Sequence, residues 1–264
     1  MTEWIERGAQ NLADLWAHLA AASGGRAAQW SDVRAADAGS VCPFVNSAVL
    51  LKLPTSGDLS QLTHELDEFY AAGEGGSWLL WSSQPAPGLA DLGYSDWGQP
   101  PLMVRPAGGA PPPQPPELRI IEVTDAASLA AWEMTFIDGY PLHWLQPAQP
   151  GTLFSPHVLD GPLRLWLGLV DHEPVGVAAA FTSAGVVGVH MVATMPKARG
   201  RGYGAALTWQ ASLSSPDLPA VLQASDMGRS VYERMGFRMV APMSLWERRR
   251  RRRGTTDGPS SRQA

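Results

Sequence analysis

Val192-Ala193-Thr194-Met195-Pro196-Lys197-Ala198-Arg199-Gly200-Arg201-Gly202-Tyr203-Gly204 follows an apolar run and opens a helical one. Glycines at 200, 202 and 204 permit φ values closed to other residues and let a ligand come close to the backbone. The first N–H groups of the helix lack intrahelical partners and lie at the positive end of its dipole, so they form a seat for an anion. Arg199 and Arg201 stand where they could neutralise a diphosphate. Spacing alone also describes a glycine-rich turn with two solvated arginines. The stretch is not a Walker A loop, because no Gly-Lys-Ser/Thr follows. Nor is it a Rossmann turn, because no first βαβ unit surrounds it.

Leu222-Gln223-Ala224-Ser225-Asp226-Met227-Gly228-Arg229-Ser230-Val231-Tyr232-Glu233-Arg234-Met235-Gly236-Phe237 comes next, reading as a short strand, a helix and a glycine stop. The first stretch resembles the acetyl-CoA loop of the GNAT acyltransferases: Gln or Arg, two residues, Gly, any residue, Gly or Ala. Arg199, Gly202 and Gly204 match it. The second resembles the family's closing Tyr-x-x-x-Gly-Phe element. Both occur in the family's order, within residues 118–247.

The resemblance implies a mixed twisted sheet of the acyl-CoA N-acyltransferase type, splayed between its fourth and fifth strands. It implies acetyl-CoA as acyl-donor co-substrate, with Val192, Ala193 and Thr194 offering backbone groups to pantetheine. The loop Arg199, Gly200, Arg201, Gly202, Tyr203, Gly204 and Ala205 would hold the diphosphate. Tyr232 matches the tyrosine near the thioester sulfur, where a phenol can protonate a departing thiolate. Ser225 stands where many members carry Asn, and either donates one hydrogen bond or caps the helix. Many members use a strand Glu as base, yet no Glu lies between Glu173 and Glu233. His190 is the candidate base on the fourth strand. His143 and His157 border the acceptor side, and Asp138 and Asp226 are weaker choices. Phe136, Tyr140, Leu142, Trp144, Leu145 and Phe154 are candidate pocket walls or core residues.

Working outward, residues 118–247 read as strand, helix, a broken segment over 139–162, then β-β-β-α-β-α-β. Asp125 is placed to cap the first helix. Upstream, Pro106 to Pro116 holds six prolines in eleven residues and reads as a semi-extended linker, 106–117. Residues 1–105 form a smaller α/β body. A helix over Trp4 to Ala22 carries Leu12, Leu15, Trp16 and Leu19 on one face. A strand over 47–53, a helix over 58–72 and strands at 77–81 and 102–104 follow. Leu92-Gly93-Tyr94 echoes Met235-Gly236-Phe237. The body therefore reads as a degenerate acyltransferase-like domain, against the alternative of an unrelated α/β cap. Closing the acceptor pocket, forming a homodimer contact or stabilising the second domain are its candidate tasks.

Basic and acidic residues number 5 and 13 over residues 1–117, 8 and 11 over 118–247, and 7 and 1 over 248–264. The acidic body disfavours nucleic acid as main ligand and fits a cationic substrate without demanding one. Arg248 to Arg253 read as a basic flexible tail over 248–264, capable at most of weak nucleic-acid contact. The single Cys42 excludes an internal disulfide, and no metal-ligand spacing occurs. With no secretion signal or membrane span expected, the chain reads as cytoplasmic. The leading expectation is an N-acetyltransferase acting on a small-molecule or peptide amine by direct attack in a ternary complex. The alternative is a non-catalytic acyl-CoA-binding or regulatory module.

Overall fold

The computed structural model describes residues 2–30, 32–52, 59–73, 76–140, 142 and 145–250. The first half runs α1 (Thr2–Ala22), β1 (Arg26–Gln29), β2 (Val33–Asp37), β3 (Asn46–Leu50), α2 (Leu59–Ala71), β4 (Ser77–Ser82), β5 (Ser95–Gly98) and β6 (Pro101–Arg105). The second runs β7 (Arg119–Glu122), α3 (Ala126–Gly139), β8 (Leu163–Val170), β9 (Glu173–Ser183), β10 (Val186–Thr194), α4 (Tyr203–Ser212), β11 (Ala220–Gln223), α5 (Asp226–Arg234), β12 (Arg238–Pro242) and β13 (Ser244–Arg249).

Two mixed sheets result. One has the order β1-β2-β3-β4-β13-β5, the other β12-β6-β11-β10-β9-β8-β7. Read from the same side, they follow one plan, and the first sheet lacks only a counterpart of β7. The echo seen in the sequence is real in three dimensions. Gly93 and Gly236 take φ of 85° and 89°. The N–H of Tyr94 donates to Leu89 O at 3.1 Å and that of Phe237 to Tyr232 O at 3.0 Å, the same six-to-one closure. The fold is a tandem pair of acyltransferase-like sheets.

The strands cross the boundary read from the sequence. β6 leaves the first half and pairs with β11 (Val104 opposite Val221) and β12 (Met103 opposite Met239). In return β13 leaves the second half and pairs with β4 (Leu245 opposite Trp81) and β5 (Trp246 opposite Asp96). The division into 1–105 and 118–247 therefore follows the chain but not the sheets. An apolar strand is held wherever both of its edges find partners. The basic tail also begins later than expected. Arg248 and Arg249 belong to β13, Arg248 pairs with Asp67 at 2.7 Å, and Arg250 pairs with Asp37 at 2.6 Å. Arg248 and Arg250 are thus committed to ion pairs within the fold, while Arg249 is exposed. Residues 251–264 lie outside the described residues.

The α1 stripe explains why the halves adhere. Leu12, Leu15, Trp16 and Leu19 are buried in a core shared with Leu165, Val177 and Phe181 of the second sheet. Burying each such side chain is worth roughly 1.5–3 kcal/mol. Asn11 adds direction: its Nδ2 donates to Phe181 O at 2.8 Å and to Ser183 Oγ at 3.1 Å. On the outer face of the second sheet, Leu207, Ala211, Met235 and Phe237 cover Val187, Val189 and Leu222. On the outer face of the first, Leu62, Leu66 and Tyr70 cover Ala48, Trp78 and Leu80.

Candidate active site

The site begins where β10 and β11 part. Their parallel pairing holds only at Val187 with Ala220 and Gly188 with Val221, although both strands run on. Against β9, β10 carries a bulge between His190 and Ala193, with Met191 at φ 51°. One extra residue is thereby accommodated in β10, which advances three residues against two in β9, at the mouth of the gap. The expected splay is present.

A cavity of about 870 Å³ fills that gap. One end is the start of α4. Gly200 and Gly202 take φ of 79° and 82°, the left-handed conformation that glycine adopts without strain. A Cβ on Gly204 would stand 2.9 Å from Thr194 Oγ1, so glycine there lets the first turn of α4 press against the end of β10. Val192, Ala193, Thr194, Arg199, Gly200, Gly202, Tyr203, Gly204, Ala205 and Ser225 all line the cavity, as does Tyr232. Their uncapped amides, the left-handed turn and the cavity's length suit an extended ligand with a diphosphate at one end. Ala110 and Pro112 of the linker form part of the opposite rim.

The two loop arginines behave differently from the expectation. Arg199 donates to Thr194 O at 3.3 Å and to Gly139 O at 3.1 Å, tying the loop to the carbonyl end of α3. Its guanidinium is a brace for the seat. Arg201 is exposed and hydrogen-bonds the Tyr203 phenol, which itself donates to Glu117 at 2.7 Å. It is not among the described cavity-lining residues. At the start of α4 the groups left free toward the cavity are backbone N–H groups, while Arg199 is held by Thr194 and Gly139.

Tyr232, on α5, also lines the cavity. Glycine at position 228 makes room for it, since a Cβ there would meet the ring at 2.7 Å. Burial, with the neighbouring Tyr140, pushes the Tyr232 phenol up to about 12, so it holds its proton at neutral pH. Ser225 caps α5, accepting from the Gly228 N–H at 3.3 Å. That is the capping role of the two the sequence left open.

A smaller cavity of about 130 Å³ shares Tyr140, Val192, Ser225 and Tyr232 with the large one. Phe136 and His190 line it from the second half, and Leu12, Trp16, Phe44 and Trp81 from the first. His190 is not placed to act as a base. Its Nε2 donates to Asn11 Oδ1 at 3.0 Å, and burial pushes its pKa down to about 3. The protonated form that a base must pass through is suppressed at this position. Gly188 keeps this pair together, because any Cβ there would overlap both partners.

Of the other candidates, His157 is exposed beside Asp160, Asp138 is exposed against Gln146, and Asp226 is exposed at the start of α5. His143 and Trp144 lie outside the described residues. Leu142, Leu145 and Phe154 are core residues, leaving Phe136 and Tyr140 as pocket walls. The buried Glu133 went unnoticed in the sequence. It accepts from the N–H groups of Gly151, Leu153 and Phe154 and so holds the irregular segment after α3 in place. No group of three potential metal ligands occurs among the described residues, and no helix among them is long and apolar enough to cross a membrane.

A model of the acetyltransferase (GNAT) domain family matches residues 154–245. No match was found among curated protein sequences. The fold is similar to that of a GCN5-related N-acetyltransferase from Kribbella flavida, with TM-score 0.62 and 21% identity over 84% of this chain and 88% of the other. It is also similar to a tandem GNAT protein from the clavulanic acid biosynthesis pathway, with TM-score 0.55 and 12% identity over 95% and 96%. A GCN5-related N-acetyltransferase from Sphaerobacter thermophilus gives TM-score 0.50 and 15% identity over 94% of each chain. At these identities the likeness is one of fold.

Proposed function

We propose, from the match of residues 154–245 to the GNAT acetyltransferase domain family, that this chain transfers an acetyl group from acetyl-CoA to an amine by direct attack in a ternary complex. The observation that carries the reading is continuity. The glycine seat at α4 and the phenol of Tyr232 bound one cavity, and the second cavity meets it at Tyr232.

Acetyl-CoA, when bound, supplies a thioester whose carbonyl carbon is open to an amine and whose sulfur leaves as a thiolate. The N–H groups at the start of α4 would hold its diphosphate, and the backbone of Val192 to Thr194 its pantetheine arm. Tyr232 would keep a proton at Oη, ready for the leaving sulfur. His190 would position Asn11 and α1. The described residues lining the small cavity include no carboxylate, so the acceptor's proton would leave to water or be lost before binding.

That lack of a lining carboxylate also favours the second reading, a non-catalytic acyl-CoA-binding module. Turnover separates the two. Purified chain, acetyl-CoA and an amine panel should give free thiol together with acetylated amine by mass spectrometry. Saturable acetyl-CoA binding without product would leave only the binding module.

A further inference from the structure

The small cavity beside Tyr232 limits what amine can enter, and the argument rests on the transfer reading above. Its volume is about 130 Å³, slightly under the roughly 150 Å³ of an apolar cavity that takes up one benzene ring, and it is continuous with the large cavity at Tyr140, Val192, Ser225 and Tyr232. Aromatic side chains form its walls from both halves: Trp16, Phe44 and Trp81 on one side, Phe136, Tyr140 and Tyr232 on the other. Phe44 meets Tyr140 edge-on at 6.3 Å, and Tyr140 stacks on Phe136 at 5.8 Å. Outward, Trp97 meets Phe44 edge-on at 5.7 Å and is 38% exposed, so the aromatic lining continues to the surface. Edge and face positions of this kind attract a further ring.

Charge gives the complementary restriction. Among the described residues lining the cavity there is no Asp, Glu, Lys or Arg. A second ammonium would lose its water without gaining a carboxylate, and an acceptor carboxylate would meet no cation.

We infer that the acceptor is a monoamine carried on a single aromatic ring and bearing no second charge, with walls from the first half setting the specificity. The ring occupies the small cavity, and the nitrogen lies at the junction where both cavities share Tyr232. The acidity of the body as a whole plays no part in recognition, because none of it reaches these walls.

The test uses the full chain. Acetyl-CoA binding is measured by calorimetry, and kcat/KM is then measured for phenethylamine, spermidine, glucosamine and lysine. Phenethylamine should exceed each of the others by roughly tenfold or more, the share expected from burying one ring. In Phe44→Ala, KM for phenethylamine should rise by roughly tenfold while kcat and acetyl-CoA affinity stay level. Phe44 is half-buried, and Trp81→Phe offers a milder change on the same wall. Acetyl-CoA binding with spermidine or glucosamine preferred would overturn the substrate class and leave the transfer reading intact. Unchanged KM in both variants would remove the first half from specificity. Failure of acetyl-CoA to bind at all would defeat the transfer reading itself.

Discussion

The two halves share a strand plan and differ most at the joint between their parallel strands. In the second half the parallel pair β10 and β11 keeps two register pairs and then opens. In the first, β3 and β4 stay paired from Ser47 with Leu79 through Leu50 with Ser82. No gap forms there, and aromatic rings fill the outer face instead. Tyr70 stacks on Trp78 at 4.2 Å, and Tyr94 meets Trp78 edge-on at 5.5 Å. Where the second half has α5 carrying Tyr232, the first has a single turn at Pro87–Leu89. The bulge in β10 has no counterpart among the described residues of β3, whose pairing with β4 runs unbroken.

The largest test of this comparison concerns the exchanged strands. Residues 106–264 expressed alone lack β6, which leaves β11 and β12 without their shared partner. We expect no cooperative unfolding transition from that fragment, and its return when residues 1–105 are added. A stable isolated fragment would show the exchange to be dispensable.

Tyr232→Phe should lower turnover by roughly 100-fold while acetyl-CoA affinity is unchanged. An equal loss of affinity would make the tyrosine a packing residue, like its neighbours in the first half.

Calorimetry should count one acetyl-CoA per chain, and Gly202→Val should weaken binding by roughly 10-fold or more, because valine resists a φ near 82°. A second equivalent bound would restore the first half as a ligand site.

The two crossing arginines give a paired test by chemical unfolding. Arg248 lies over Tyr94 at 5.0 Å and pairs with Asp67, while Arg105 lies over Phe237 at 6.0 Å and over Trp209 at 4.3 Å. Arg248→Ala should cost about 2–3 kcal/mol, because it strands a partly buried carboxylate. Arg105→Ala should cost about 1 kcal/mol, because it leaves no opposite charge behind. The reverse order would mean that the ion pair is not what fastens β13.

The smallest effect is a pH dependence confined to the first half. Burial alone would raise the Asp37 carboxyl, but hydrogen bonds from Arg250, Arg26 and the Gly39 N–H outweigh it and hold the pKa below its usual 3.8. Stability from this group is present above the unfolded value and is lost as pH falls through the lower folded one. Asp37→Asn should flatten the stability curve between about pH 5 and about pH 2. An unaltered slope would separate Asp37 from acid unfolding.

Much of the second half was legible because its chemistry is local. Glycine positions around 200–204, the stop at Gly236 and the apolar runs of β8 to β10 depend on neighbours in sequence. The Gly-Tyr and Gly-Phe echo was legible for the same reason. β1 and β2 escaped, since RAAQ and VRAAD are alanine-rich and show no alternation that marks a strand; β3 makes them strands by pairing with β2. His190 looked available because a histidine on a strand next to a cofactor loop carries no mark of its own burial. Arg248 and Arg250 looked solvated because a run of like charges usually is, and only Asp67 and Asp37, brought from far upstream, change that.

The sequence by itself determined the glycine-rich turn at the start of α4, the helix carrying Tyr232 and the tandem repetition, because each is written in residues a few positions apart. Tertiary structure alone decided which sheet β6 and β13 complete, where the parallel pair opens and which aromatic rings line the small cavity. Apolar periodicity records that a segment is buried but not against what, and partners from opposite ends of the chain are chosen only when both halves pack.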